Sequence, residues 1–401
     1  MMKHILTAGA ITVGVVAIIS AQAPAQPAAG SNRSNPGAKP LPSAQIFDGK
    51  TPVKEIPKAQ GKWRTPWGDP DLQGIWNNGT ATPLQRAEQY GNREYMTAEE
   101  VAAAKKAAET RAEGESEEQR AQGLGAGPTF WYDVHEPDTR TSLIYDPPNG
   151  RTPPQVAEYT AQQQTRAALF KEPKYDKSIW ERQGAWVRCI SRGQPAAMNP
   201  VVYNNNYQIV QTPGYVVIMQ EMVHVSRIIP LDKRPHVDPK IRMWEGDARG
   251  WFEGETLVVE TTNFHPEAEP MDRQPTISGK DYKLIQKFTR ITPTDIDYRY
   301  TLDAPSVFQG PFSAAIPMSS RSAAERMTEY ACIEGDNSVR LTITGLVRQA
   351  TDPEYAARVR AEQAAAPARG GRRGGGPAGA APGGAPAAPA GQGPAPARGG
   401  E

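Results

Sequence analysis

The run Gln220-Glu221-Met222-Val223-His224 differs from the helical zinc-binding pattern HExxH by one residue, Gln in place of the first His. Its surroundings, VVIMQEMVHVSRII, read as a strand. On a strand, positions i and i+4 share a face but lie roughly 13 Å apart, too far to grip one ion. The chain has 5 His and none pair at ligand spacing, so no metal is expected. His224 is left as a lone titratable group in an apolar strand. It reads as a general acid/base suited to neutral pH, or as a histidine held for structural reasons. Strand alternation places Glu221, Val223, Val225 and Arg227 on one face and Gln220, Met222, His224 and Ser226 on the other. Glu221 and Arg227 then read as a structural pair.

Other candidates cluster nearby in sequence. In Trp244-Glu245-Gly246-Asp247-Ala248-Arg249-Gly250, Asp247 and Arg249 either form a buried ion pair that fixes a turn or grip a polar substrate group. Asp247 is also a candidate catalytic group beside His224. Tyr203-Asn204-Asn205-Asn206-Tyr207 is either a polar pocket rim or a loop of Asx turns. In the first reading Tyr203 polarises a substrate, while Asn205 and Gln208 orient it. Phe130-Trp131-Tyr132-Asp133 suits a lid over an aromatic ligand, or a plug at the end of a fold. Trp131 and Trp244 would wall the pocket and Asp133 would orient its contents. Motifs for α/β serine hydrolases, phosphate loops, dinucleotide folds and CxxC redox sites are missing. Cofactor-free chemistry or plain binding remains, with no cofactor expected.

These residues must be held by β structure. Helix signals fall at about 97–122, opened by the Thr97-Ala98-Glu99-Glu100 capping box, and at about 154–172. Short strands are expected at 72–76 and 141–145. From Ala185 the pattern is almost continuously β, with strands at 207–211, 215–222, 225–230, 249–252, 256–262, 284–291, 295–302, 314–317, 327–332 and 339–344. Tight connections at Trp251–Glu255 and Thr292–Asp295 make this a meander. The expected fold is mainly β, an antiparallel up-and-down barrel with two accessory helices; a two-sheet sandwich is the alternative.

The chain of 401 residues, 38% hydrophobic and 22% charged, is long enough to bury a substantial core. Residues 1–25 read as an export signal: Lys3 and His4, the apolar run Ile5–Ile19, then small residues to Ala25. Residues 26–62 read as a disordered linker, 63–362 as a single domain, and 363–401 as a disordered Ala/Gly/Pro/Arg tail. Cys189 and Cys332, the only cysteines, suit a disulfide in a periplasmic or secreted protein. The formal charge is +1. With Lys3 and the tail set aside the remainder is slightly acidic, so a nucleic-acid partner is not expected. No second long apolar run follows the signal, and no membrane association is expected after its cleavage.

Three segments together resemble a family of secreted bacterial proteins, numerous in soil acidobacteria and sphingomonads. They are DPDLQGIWNN with TPLQR, FWYD with RTSLIYDPPNGR, and YNNNYQIVQ with RIIPLD and WEGDARGWFEGETLVVETTNF. The resemblance spans about Trp63 to Gly345 and implies export, with no catalytic residue to carry over. Gly74-Ile75-Trp76 resembles the GxW signature of lipocalin-like (calycin) barrels. By analogy of fold, the expectation is a cofactor-independent lyase, hydratase or isomerase acting on a small apolar or aromatic molecule, such as a lignin-derived phenolic or a terpenoid. The alternatives are a periplasmic binding protein for the same ligands and a carbohydrate-active enzyme with paired carboxylates.

Overall fold

The computed structural model describes residues 46–114, 135, 138–171, 185–186, 188–201, 203–266, 281–320, 326–332 and 338–365. Ten strands form one antiparallel sheet: β1 (Gly74–Asn77), β2 (Ile144–Asp146), β3 (Asn206–Thr212), β4 (Tyr215–Gln220), β5 (Ser226–Pro230), β6 (Asp247–Glu253), β7 (Thr256–Thr262), β8 (Lys283–Arg290), β9 (Asp295–Asp303) and β10 (Phe312–Ser320). Their order is β5-β4-β3-β1-β10-β9-β8-β7-β6, with β2 also pairing β10. The sheet is nearly closed into a barrel, and β5 and β6 meet at the seam. A two-sheet sandwich is not formed.

Closure at the seam depends on Gly250. A Cβ there would lie 2.8 Å from side-chain carbons of both Ile229 and Leu231. Only a residue without a side chain lets β6 approach β5 so closely. The hairpins use left-handed glycines where the chain must reverse, with φ of 84° at Gly214 and 60° at Gly254.

Alternation sets the core. Leu257, Val259 and Thr261 of β7 pair with Phe288, Gln286 and Leu284 of β8, and all six point inward and are buried. Tyr298, Tyr300 and Leu302 continue the lining on β9. The segment from Trp63 to Trp76 leads into β1 and is bonded to the sheet, the Arg290 guanidinium donating to the Asp71 carbonyl at 3.0 Å. Its Leu72 amide donates to Gln211 Oε1 at 2.6 Å, and Trp76 donates its ring N–H to the Leu72 carbonyl at 2.9 Å.

A second layer covers the outer face of β9 and β10. Asp297 and Arg299 are buried there and joined at 2.8 Å, and Arg299 also donates to the Glu55 carbonyl. Burial raises the Asp297 carboxyl above its ordinary range, with Arg299 opposing. Ile46 and Val53 are buried as well. Part of the expected linker, residues 46–62, is thus tied to the sheet, with the Gln60 amide also donating to the Ile291 carbonyl at 2.7 Å.

Four helices are described: α1 (Ala98–Gly114), α2 (Ala157–Lys171), α3 (Ser338–Thr351) and α4 (Pro353–Ala365). The capping box forms as expected, with the Glu100 amide donating to Thr97 Oγ1 at 3.3 Å and the Thr97 amide to Glu100 Oε2 at 2.7 Å. Two expected strands are corrected. Residues 339–344 belong to α3: Val339, Ile343, Leu346 and Val347 recur at helical spacing, which outweighs the β-branched composition. Residues 327–332 form no strand. The Cys189–Cys332 disulfide is present, with Cα atoms 6.0 Å apart, and it anchors that segment.

Candidate functional site

Polar side chains gather inside the barrel, near the end where β3, β5 and β8 begin. Arg227 of β5 points inward and is buried. Its guanidinium donates to Gln286 Oε1 on β8 at 2.8 Å and to Thr261 Oγ1 on β7 at 3.0 Å, so it spans the seam from within. Gln286 donates onward to the Tyr298 hydroxyl at 2.8 Å. Both acceptors of Arg227 are neutral, and among the described residues it makes no ion pair. Burial lowers its pKa, while the charge of Glu245 opposes that shift.

Glu245 sits on the turn that leads into β6. Its carboxylate accepts from the Ser191 hydroxyl, from Gln194 Nε2 at 2.9 Å and weakly from Gln220 Nε2 at 3.5 Å. Gly246 allows this turn: its φ is 70°, and a Cβ would lie 2.7 Å from the Thr262 carbonyl oxygen. Tyr282, just before β8, stacks on Phe264 with centroids 3.9 Å apart. Burial holds its hydroxyl protonated well above the ordinary tyrosine range. Glu245 adds to that shift and Arg227 opposes it.

Several buried polar atoms have no hydrogen-bond partner among the described residues: Arg227 Nε, the Tyr282 hydroxyl and Gln194 Oε1. Around them the wall is Met198, Phe264, Phe288, Tyr298 and Phe312, all buried. These buried, unpartnered donors and acceptors set this part of the core apart from its apolar surroundings.

The residues singled out from sequence do not converge there. His224 belongs to a tight 3-10 turn, Met222–His224, not to a strand, and Val223 and His224 both have positive φ. This turn breaks the run between β4 and β5 and leaves His224 exposed, its Nδ1 3.1 Å from the Tyr330 carbonyl. Glu221 is not paired with Arg227. It accepts from Asn206 Nδ2 at 2.9 Å and from Thr328 at 3.3 Å.

Asp247 and Arg249 form the ion pair, at 2.6 Å, but on the outer face of β6. Asp247 also accepts from the Val237 amide and lies 2.8 Å from His236 Nδ1, whose other ring nitrogen is 3.2 Å from Glu260. This set pins the loop after β5 onto the sheet.

Asn205 is buried and bonds both polar groups of Val201 at 2.9 Å, a loop role. Gln208 lies on the outward face of β3 and is partly exposed, as are Tyr203 and Trp244. Trp244 stacks on His265 at 4.1 Å and packs against the core. Trp131 and Asp133 lie outside the described residues.

Sequence reasoning read Arg227 as a structural partner of Glu221 and passed over Glu245, Gln286 and Tyr282. The signal was available for two of them. Gln286 occupies an inward position in LIQKF, and Arg227 sits between apolar neighbours at period two. Among the described residues no group of three His, Cys, Asp or Glu is placed to hold a metal ion, and no helix is long and apolar enough to cross a membrane. Comparison with family models, curated proteins and solved structures finds no match to this chain.

Proposed function

We propose that this is an exported, periplasmic or secreted binding protein whose barrel interior holds a small molecule with an aromatic or apolar body. The observation that carries this reading is the set of buried, unpartnered polar atoms in a barrel whose core is rich in aromatic side chains: Arg227 Nε, the Tyr282 hydroxyl and Gln194 Oε1. Leaving such groups unsatisfied costs about 1–3 kcal/mol each, and a ligand that meets them recovers that cost. The export assignment rests on the leader-like residues 1–25 and on the disulfide.

Binding is favoured over turnover because His224 and Asp247 both lie away from the interior. A catalytic reading transfers to Glu245 and Tyr282, a carboxylate and a protonated phenol, the two kinds of group that proton transfer to and from a bound molecule needs. Incubation of the purified protein with phenolic dimers, terpenoids and oligosaccharides, followed by mass spectrometry of protein and supernatant, separates the readings. Phenolic or terpenoid ligands retained unchanged support binding. A new product abolished by Glu245→Gln supports catalysis, and retention of oligosaccharides alone removes both.

A further inference from the structure

β5 and β6 are the two edges of the sheet, and no backbone pairing joins them. The loop that bridges this seam, residues 231–246, is held largely by side chains. Arg249 of β6 donates to the Arg234 and Pro235 carbonyls, and Asn263 donates to those of Val237 and Asp238. Neither of these groups changes its charge near neutral pH. His236 does.

The His236 ring lies between two carboxylates, with Nδ1 2.8 Å from Asp247 Oδ2 on β6 and Nε2 3.2 Å from Glu260 Oε1 on β7. An ionised carboxylate only accepts, and a neutral imidazole has one N–H and one bare nitrogen, so only the imidazolium makes both bonds. The two acids differ in their other partners. Asp247 is 8% exposed and is fixed by Arg249 at 2.6 Å and by the Val237 amide at 3.0 Å. Glu260 is 29% exposed, and its second oxygen lies 3.6 Å from Lys283 Nζ on β8. Within the loop, Asp232 pairs with Arg234, and Asp238 accepts from the Lys240 amide.

From this geometry we infer that His236 is a protonation-dependent latch on the seam loop. As imidazolium it joins Asp247 to Glu260. When its Nε2 proton passes to solvent it keeps Asp247 through Nδ1–H, and Glu260 turns to Lys283. Arg249 and Asn263 still hold the loop, so the change is a loosening at His236 and not a release.

NMR of the full chain with 15N-labelled histidine and 13C-labelled glutamate, taken from about pH 5 to pH 8, tests this, together with hydrogen exchange of the loop amides. Both His236 nitrogens should carry protons at the acid end and Nδ1 alone at the alkaline end, with the Glu260 carboxyl signal moving at the same midpoint. The protection factor of the Val237 amide should fall by about 2-fold to 5-fold across that midpoint. The step should vanish in Glu260→Gln, whose side-chain amide accepts from the imidazolium and donates to the bare Nε2. A neutral ring protonated on Nε2, or a Glu260 signal that ignores the His236 titration, overturns the latch. A step that survives in Glu260→Gln overturns it too, by placing the sensitivity elsewhere. Where Glu260→Gln does not fold, the wild-type spectra decide.

Discussion

Replacing Cys189 and Cys332 together by alanine removes a cross-link that spans 143 positions and encloses β3 to β10. The crossing is between two segments near the polar end of the barrel: Thr328 bonds Glu221, and the Tyr330 carbonyl meets His224. Treated as loop-closure entropy, a loop of 143 residues stabilises the folded state by about 5 kcal/mol at 25 °C. Domains of this kind have total stabilities of about 5–15 kcal/mol, so the loss is a large fraction of the whole. Urea unfolding followed by tryptophan fluorescence measures it. The midpoint should fall by an amount equivalent to about 3–5 kcal/mol, and the slope should rise because the uncross-linked unfolded chain exposes more surface. A midpoint change under about 1 kcal/mol with an unchanged slope would refute the entropic reasoning.

Gly250→Val places a side chain against Ile229 and Leu231, where even a Cβ would approach to 2.8 Å; thermal denaturation should show a loss of about 1–3 kcal/mol at the seam. Thr97→Ala removes the cap of α1 and should cost about 1 kcal/mol, read by hydrogen exchange of the first-turn amides. Glu100 is held down to about 2 from its ordinary 4.5, first by the Arg93 guanidinium and then by the Thr97 amide. Its folded value is depressed, so its contribution is complete above pH 4.5 and is lost as pH falls toward 2; carboxyl NMR of this residue against pH checks the sign. His224→Ala, an exposed change on a turn, should alter stability by less than about 0.5 kcal/mol and leave ligand affinity unchanged by titration.

The barrel was legible because period-two alternation is strong in strands such as TLVVETT and KLIQKFTR, and because turn residues separate them. Residues 256–262 were expected as a strand and are one. The site was far less legible. His224 drew attention as a titratable group in an apolar run, yet positive φ at Val223 and His224 ends the strand there. No local sequence feature announces that turn; it follows from the tertiary pairing of β4 with β5. Asp247 and Arg249 were correctly paired in one of the two readings, but which face of β6 they occupy depends on Ala248 and Gly250 packing inward. Glu245 is invisible from sequence because its partners, Ser191 and Gln194, come from more than fifty positions away in the chain.

The binding reading requires that a small molecule enter the barrel. Tyrosine-ring-labelled protein, observed by NMR while 3-phenylpropanoate or 3-phenylpropan-1-ol is added to saturation, tests this directly. Tyr282 and Tyr300 are buried inside the barrel, whereas Tyr215 is 37% exposed on its outer face. Interior binding should shift the rings of Tyr282 and Tyr300 with Tyr215 unmoved. Shifts confined to Tyr215, or none at all with either compound, would contradict it.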